Sequence, residues 1–334
     1  MLHALMLASS LLAAGPAPAK NPGRWMTHKV ERGDTAAKVA QRWGVTEAQV
    51  RQWNPWVGEG RLKPGRVIQL RAKARPVKRM NAVYFIREGD TLDGLADTLH
   101  VSAASLRTQL TDGVAPGTRV VVPRPLGTPG WNPYEGRTGP TPPEVDLELG
   151  GLSTGSPNNG TLVNGIPLPQ TELFEVWKPE WAYGSTHAVG VVVTAIGDFR
   201  RNTGWNGTLT IGSMSKYGGG HFPPHKSHQS GRDVDIRLPR LDGSGAHPNH
   251  AQTDWHAAWA LISAFIDTGE VQVIFLSRRL HGMLRAAAKD MGATPSELAR
   301  IGTIISHSKG HNAHLHIRIR CGSDETDCRG VNAR

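Results

Sequence analysis

The strongest constraint on the fold comes from two well-separated segments that alternate polar and apolar side chains. Residues 233–237 alternate in this way, which predicts a strand with both of its aspartates on one face. Residues 314–320 also alternate, and they turn two histidines and two arginines to one face and three aliphatic side chains to the core. If the two strands are neighbours, we expect His314, His316 and Asp235 to converge on one point.

The side chains at this point have the composition of a hydrolytic zinc site. Two imidazoles, one carboxylate and an open fourth position for water are typical of such sites, and His228 can reach the point from the loop before the first strand. The alternative is that these are surface histidines of a His-rich chain. However, 11 of the 15 histidines lie between His221 and His316, which is hard to reconcile with a random scatter.

Composition indicates an exported protein of two or three domains. The chain has 334 residues and a formal net charge of +10 without a contiguous run of Lys and Arg, which favours an anionic cell envelope over nucleic acid as the partner. Residues 4–14 are apolar and residues 17–19 have the small-x-small pattern of a cleavage site, so residues 1–19 are predicted to be a signal peptide. Elsewhere no segment has the ~18 apolar residues of a membrane span, so we expect no integral membrane segment in the mature chain.

Two similar units follow, at residues 28–71 and 82–124. Each has a strand that ends in Gly-Asp-Thr, two short helices, and a closing strand after a Pro-Gly turn. The threonine is a natural helix N-cap, and the next helix carries apolar residues at helical spacing. This order resembles a tandem of LysM modules, a family that binds N-acetylglucosamine-containing glycans such as peptidoglycan. A helix pair for DNA is the competing interpretation, and the repeated tripeptide on an exported chain argues against it.

The rest of the chain divides into a linker and a larger domain. Residues 125–155 are rich in Pro and Gly, which predicts a semi-extended tether that lets the last domain sweep for substrate. Residues 156–330 mix helix and strand patterns, which predicts an α+β domain on a mainly antiparallel sheet, with residues 189–196 either a buried helix or a buried strand. The two cysteines of the chain, Cys321 and Cys328, are expected to form a disulfide.

Motifs in this last domain resemble those of the penicillin-insensitive murein endopeptidase family, whose metal site is similar to that of the lysostaphin, D-alanyl-D-alanine metallopeptidase and hedgehog group. The resemblance covers roughly residues 155–328. It is carried by Ser227-His228-Gln229-Ser230-Gly231, Asp233-Val234-Asp235, His311-x-x-His314-x-His316 and the trailing Arg318-Ile319-Arg320-Cys321.

The resemblance implies a role for each residue of the site. The ligands of one Zn2+ are expected to be His228, Asp235 and His316. His314 is the first choice for the catalytic base, and His311 is the second choice, as base or as oxyanion stabiliser. The alternative for either histidine is a hydrogen bond that only orients a ligand.

Two further residues match positions of the family. His225 and Asp233 are expected to orient histidines or to bind an accessory ion. Some relatives supply that accessory site with Asp-Gly-x-His, whereas here Asp242-Gly243 is followed by a histidine only at His247, so one ion is expected. Other histidines have no matched role and are expected to be solvated, namely His221, His250, His256, His281 and His307.

Together these features predict an exported peptidoglycan endopeptidase, in the periplasm or beyond the cell. It is expected to hydrolyse D-alanyl-meso-diaminopimelyl cross-links by a zinc-activated water, with the LysM modules on the glycan and the catalytic domain on the stem peptides. Two alternatives stay open. One is a D,D-carboxypeptidase of the same metal group, and the other is a non-catalytic LysM protein that only binds the wall.

Overall fold

Both repeated units fold as strand, helix, helix and strand. The computed structural model describes residues 23–31, 33–60, 62–73, 79–99, 101–125, 127 and 129–330, so the predicted signal peptide lies outside the described residues. The first unit comprises β1 (Arg24–Lys29), α1 (Ala36–Trp43), α2 (Glu47–Trp53) and β2 (Val67–Ala72). The second comprises β3 (Arg79–Phe85), α3 (Leu92–Leu99), α4 (Ala103–Arg107) and β4 (Arg119–Pro125). In each unit the two strands pair antiparallel and the helices cover a small apolar core.

The aspartate of each Gly-Asp-Thr tripeptide closes the turn between strand and helix. Asp34 Oδ2 accepts a hydrogen bond from the backbone N–H of Glu31 at 2.8 Å. Asp90 Oδ2 accepts one from the backbone N–H of Arg87 at 2.7 Å and another from the Tyr84 hydroxyl at 2.9 Å. The threonine that follows caps the next helix in both units, as predicted. The repeated tripeptide therefore closes the turn and caps the following helix in both units.

A side-chain amide joins the second helix to the closing strand in both units. Asn54 donates to the backbone carbonyl of Gln69 at 2.7 Å and accepts from its N–H at 2.8 Å. Gln109 makes the same pair of bonds with Val121, at 3.1 Å and 2.8 Å. Since glutamine reproduces the contact of asparagine, the second unit keeps the fold without the Asn-Pro pair of the first.

The described residues after β4 contain an α+β domain built on one main sheet. Its elements are β5 (Leu152–Ser156), β6 (Asn159–Val163), β7 (Ile166–Pro167), β8 (Glu175–Val176), β9 (Tyr183–Gly184), α5 (Thr186–Thr203), β10 (Thr210–Ser213), β11 (Asp233–Arg237), α6 (Trp255–Asp267), β12 (Val271–Leu276), α7 (Arg278–Asp290), α8 (Pro295–Ile304), β13 (Ile305–His307) and β14 (His314–Ile319). A short 3-10 helix, Pro179–Trp181, lies between β8 and β9. Six of the strands form the main sheet in the order β13-β12-β14-β11-β10-β8. Its two outermost pairs are parallel and the three inner pairs are antiparallel, which confirms the predicted fold class.

The main core lies between the helices and one face of this sheet. Residues 189–196 belong to α5, whose apolar side chains pack with those of α6 and of the central strands. Leu315, Ile317 and Ile319 of β14 are fully buried in this core. Because successive residues of a strand point to opposite faces, the polar residues of β11 and β14 all face away from the core.

The C-terminal tail fastens a hairpin to this domain. Cys321 and Cys328 form the predicted disulfide. Between them, the buried carboxylate of Glu325 accepts a hydrogen bond from the backbone N–H of Ser153 at 2.9 Å, which ties the tail to β5. The predicted start of the domain, residue 156, falls inside the β5–β6 hairpin.

The Pro- and Gly-rich segment after β4 is packed against the last domain and is not a free tether. We call residues 129–147 the strap. Tyr134 is buried in the strap, and its hydroxyl donates to Asp254 Oδ2 at 2.5 Å. The backbone N–H of Gly139 donates to the carbonyl of Arg201 at 2.8 Å, and Leu147 packs on the main core. The expected sweeping motion does not fit this segment, because Tyr134 is buried and the strap is hydrogen-bonded to the last domain.

The described residues form two compact units, one within residues 1–77 and one within residues 78–334. The second strand–helix–helix–strand unit thus belongs to the same compact unit as the α+β domain. No helix among the described residues is both long enough and apolar enough to cross a membrane.

Candidate metal centre and active site

The predicted site forms because β11 and β14 are adjacent and antiparallel. Their register pairs Asp235 with His316 and Asp233 with Arg318. These side chains lie on the face of the sheet opposite the core, since the residues between them are the buried aliphatic ones. The sequence prediction that the two strands are neighbours is confirmed.

Asp235 lies between two imidazoles. Its Oδ2 is 3.5 Å from His228 Nε2, and its Oδ1 is 3.3 Å from His316 Nδ1. All three residues are buried. Among the described residues, neither His228 Nε2 nor Asp235 Oδ1 has a hydrogen-bond partner, which is a costly arrangement for buried polar atoms unless something binds them.

The spacing of these atoms suits a metal ion. Tetrahedral zinc has ligand bonds of about 2.0–2.1 Å, so its ligand atoms are about 3.3–3.4 Å apart. The two contacts of Asp235, at 3.5 and 3.3 Å, match this separation. The donor set of two nitrogens and one carboxylate oxygen is also one that zinc takes in hydrolytic sites.

The loop before β11 holds His228 by its backbone and its ring. Its N–H donates to Asp233 Oδ2 at 3.1 Å, and its carbonyl accepts from the Ser215 hydroxyl at 2.6 Å. Its Nδ1 is 2.8 Å from the carbonyl of Met214, which assigns the proton to Nδ1 and leaves the Nε2 lone pair facing Asp235. These bonds stabilise a left-handed backbone, with φ at 67°, that few residues other than glycine adopt.

Asp233 is engaged on both oxygens by protein groups. Arg318 donates to Oδ1 at 2.7 Å and to Oδ2 at 3.0 Å, and Oδ2 is 3.2 Å from His316 Nε2. Burial alone raises the pKa of Asp233, but His316 and Arg318 hold it well below its usual range. A buried carboxylate that faces the far nitrogen of a ligating histidine is the usual orienting arrangement around metals, and Asp233 has this geometry.

Two more histidines border the cluster on its more open side. His314 Nε2 is 3.8 Å from Asp235 Oδ1, and the His311 ring lies 4.8 Å from the His314 ring. Burial lowers the pKa of His314 to about 4, against the opposing charge of Asp235. Burial also lowers the pKa of His311, whose Nδ1 is 3.0 Å from the carbonyl of Lys309. Both imidazoles are therefore uncharged near neutral pH and can accept a proton.

His225 also reaches the cluster. Its Nδ1 is 3.7 Å from Asp235 Oδ2, and its ring stacks on Phe222 at 5.1 Å. Burial and the neighbouring His228 lower its pKa. The hydroxyl of Ser213 contacts both His225 and Asp235. It is 3.4 Å from His225 Nε2 and donates to Asp235 Oδ2 at 3.2 Å.

The structure brings together every residue that the sequence singled out for this site. Three overlapping groups have ligand atoms close enough to hold an ion, namely His225-His228-Asp235, His228-Asp233-His316 and Asp235-His311-His316. Burial alone raises the pKa of Asp235, but His228, His316 and His314 hold it far below its usual range, so the carboxylate stays anionic.

Sequence reasoning missed several groups around the site and misjudged one histidine. Ser213 and the Met214 carbonyl were not identified, because no motif marks them. Phe275 of β12 was missed too, and its ring lies 5.2 Å from that of His316. His256, expected to be solvated, is instead fully buried and lies 3.1 Å from Asp290, because it is on the core-facing side of α6.

Comparisons with known proteins identify several to which this chain is similar. The penicillin-insensitive murein endopeptidase of Yersinia enterocolitica is 29% identical over 51% of this chain and 66% of its own length. That of Pectobacterium atrosepticum is 27% identical over 53% of this chain and 67% of its own length. The chain thus spans about two thirds of the length of these relatives. A solved structure, the spore cortex-lytic enzyme SleL of Bacillus cereus, has 21% identity over 30% of this chain and 23% of its own, with a TM-score of only 0.14.

The family models match two parts of the chain. Residues 28–71, the first strand–helix–helix–strand unit, match the LysM domain. Residues 153–301 match the penicillin-insensitive murein endopeptidase family, and this range contains β11 and the His228 loop. The family implies a metal, and the clustered His and Asp residues can hold one. The chain therefore matches the LysM domain in its first unit, and its α+β domain is similar to the penicillin-insensitive murein endopeptidase family.

Proposed function

We propose that this protein is a zinc-dependent peptidoglycan endopeptidase that is exported and acts in the periplasm. The observation that carries the proposal is that buried Asp235 lies between two buried imidazoles, with Oδ2 3.5 Å from His228 Nε2 and Oδ1 3.3 Å from His316 Nδ1. Among the described residues, His228 Nε2 and Asp235 Oδ1 have no hydrogen-bond partner. Such a set is costly without a cation and well suited to one.

These three residues are the proposed ligands, with Asp233 in a supporting role. Asp233 is a poorer ligand because Arg318 already occupies both of its oxygens. His225 is the least buried of the histidines near Asp235 Oδ2 and would orient that carboxylate together with Ser213. A bound zinc ion would lower the pKa of water and polarise the scissile carbonyl.

The remaining steps belong to uncharged histidines. We assign His314 as the base that takes a proton from the attacking water and returns it to the leaving amine, because its imidazole is uncharged near neutral pH and its Nε2 lies 3.8 Å from Asp235 Oδ1. His311, with its Nδ1 turned to Lys309, presents Nε2 to the same space. It is the proposed substitute base, or the stabiliser of the developing oxyanion once its Nε2 is protonated.

The proposed substrate is the D-alanyl-meso-diaminopimelyl cross-link of peptidoglycan. Support for it comes from the relatives, which are named murein endopeptidases, and from the LysM domain, whose family binds such glycans. The second strand–helix–helix–strand unit, residues 82–124, is proposed as a second LysM module because it repeats the fold and the Gly-Asp-Thr turn.

Digestion of cross-linked peptidoglycan, with products identified by mass spectrometry, tests the proposal. We expect the wild-type protein to convert cross-linked dimers to monomers, and to lose this activity with a chelator. His228→Ala should lose both metal and activity, whereas His314→Ala should keep the metal and lose activity. His250→Ala, which changes an exposed histidine outside the cluster, is the matched control.

Other outcomes reassign the function. Release of terminal D-alanine alone indicates a carboxypeptidase. Retained wall binding with bound metal but no cleavage indicates a wall-binding protein. Full activity of His228→Ala would contradict the proposed metal site.

A further inference from the structure

A row of aromatic side chains leads away from the metal cluster along the edge of the main sheet. We call Trp177, Lys178, Trp181 and Phe222 the aromatic ridge. Phe222 stacks on His225, and Trp181 meets Phe222 edge-on with ring centroids 5.2 Å apart. Trp177 continues the row at 6.2 Å from Trp181, and 53% of its surface is exposed. An exposed tryptophan that continues from a reaction centre is typical of a binding surface.

The ridge is fixed to the strand that supports the metal cluster. The backbone N–H of Trp177 donates to the carbonyl of Ile211 at 2.9 Å, and that of Met214 donates to the carbonyl of Trp181 at 2.7 Å. Met214 also accepts the hydrogen bond that orients the His228 ring. One residue therefore holds both a proposed ligand and the ridge, so their separation is set before substrate arrives.

Lys178 supplies a positive charge at a defined place on the ridge. Its ammonium lies 3.8 Å from the centroid of the Trp181 ring and 4.5 Å from that of Trp177. Two indole faces attract a cation and reduce the freedom of its long side chain. Within the part of the chain that the structure describes, Lys178 makes no ion pair, so its charge is available to a ligand.

We propose that the aromatic ridge is a substrate subsite in which Lys178 binds a free carboxylate of the acidic stem peptide and Trp177 packs on the same chain. The inference rests on the proposed function. Each residue of an extended peptide spans about 3.3–3.6 Å, so the carboxylate would lie a few residues from the scissile bond. The aromatic ridge would thus favour substrate peptides that carry a negative charge near the scissile bond.

The test compares two substrates on the metal-loaded full-length protein. One is a cross-linked muropeptide dimer with free carboxylates, and the other is the same dimer with its carboxylates amidated. We expect Lys178→Met to raise KM about tenfold for the free-carboxylate dimer, to leave kcat unchanged, and to have no effect on the amidated dimer. Lys178→Arg should retain the wild-type preference. Lys216→Met, at an exposed lysine off the ridge, is the matched control.

A binding measurement separates this inference from the proposed function. Calorimetry with His314→Ala reports the affinity for both dimers without turnover. If the wild type cleaves neither dimer but His314→Ala prefers the free-carboxylate form through Lys178, the subsite stands and the proposed function fails. If Lys178→Met changes affinity for both dimers equally, or for neither, the subsite is wrong whatever the enzyme cleaves.

Discussion

At the scale of single residues, the site depends on groups that do not face the proposed metal. Asp233 is buried, shares its oxygens with Arg318 and the His228 backbone, and faces His316 Nε2. Losing the arginine would leave a carboxylate buried without its main counter-ion. The proposed ligands His228 and His316 would then lose a common support.

We therefore expect Arg318→Gln to be costly in two ways. The free energy of unfolding should fall by about 3–5 kcal/mol, because one partner of a buried ion pair is removed. Zinc affinity should fall about 10–100-fold, because the orienting carboxylate is disturbed. Urea unfolding and competition with a chelator measure the two effects. Arg320→Gln, at the exposed residue after the end of β14, should change neither, and equal behaviour of the two variants would contradict the assigned support.

A second residue-scale prediction concerns acid stability of the LysM domain. Burial raises the pKa of Asp34, but bonds from the Glu31 N–H, His28 and Arg42 outweigh burial and lower it from its ordinary value of 3.8. A lowered folded pKa means that the stabilisation is present above pH 3.8 and is lost as pH falls through the folded pKa. Hydrogen exchange in β1 and β2 should show this loss, and Asp34→Asn should remove it. An unchanged pH profile in the variant would refute this account.

Residues of the site could be predicted from the sequence where their side chains have a distinctive chemistry and a regular spacing. Alternation placed the aspartates and histidines on one face, because strand periodicity allows no other arrangement. The Met214 carbonyl could not be predicted, since every residue has a carbonyl and only the fold selects one. Ser213 is similar: its hydroxyl matters only because the strand β10 neighbours β11.

At the scale of elements, the capping residues of α5 distinguish helix from strand where the apolar residues inside it do not. Residues 189–196 are so uniformly apolar that neither helical nor strand periodicity shows. The structure makes them helical, with Ser185 capping the start of α5 and Gly204 in a left-handed conformation at its end. A strand of this length would be unusual. The cap residues, four positions before and eight positions after the apolar segment, therefore favour the helix.

The amide contacts of the two repeated units give an element-scale prediction. Asn54→Ala removes bonds that join α2 to β2, and we expect the LysM domain to lose about 2–3 kcal/mol of unfolding free energy. Gln52→Ala removes an exposed amide from the same helix and should change this value little. Hydrogen exchange of the β2 amides measures both. Equal protection in the two variants would contradict the role given to Asn54.

At the scale of the whole molecule, Pro and Gly content predicted the extended form of the strap but not its packing. Prolines exclude helix and central strand, and the strap indeed has neither among its described residues. Composition says nothing about which surface lies beside an extended segment. Here that surface is the α+β domain, and Tyr134 reaches the N-cap residue of α6.

Tyr134→Phe tests whether the strap stabilises this compact unit. The change leaves the fully buried Asp254 without its phenol partner, so we expect a loss of about 1–3 kcal/mol. Thermal unfolding of the full chain measures the loss. Tyr217→Phe changes a tyrosine that is 68% exposed and should leave the transition in place. If both variants unfold at the wild-type temperature, the strap is not a structural part of the domain.

The pairing of Asp235 with His316 across adjacent strands has a consequence for protein quality. A slip of one residue between β11 and β14 would turn one of the two side chains into the core and abolish the proposed ligand set. Misregistered molecules could then bind no ion at this point. The zinc content of a purified preparation would therefore count its correctly folded fraction, independently of any assay for cleavage.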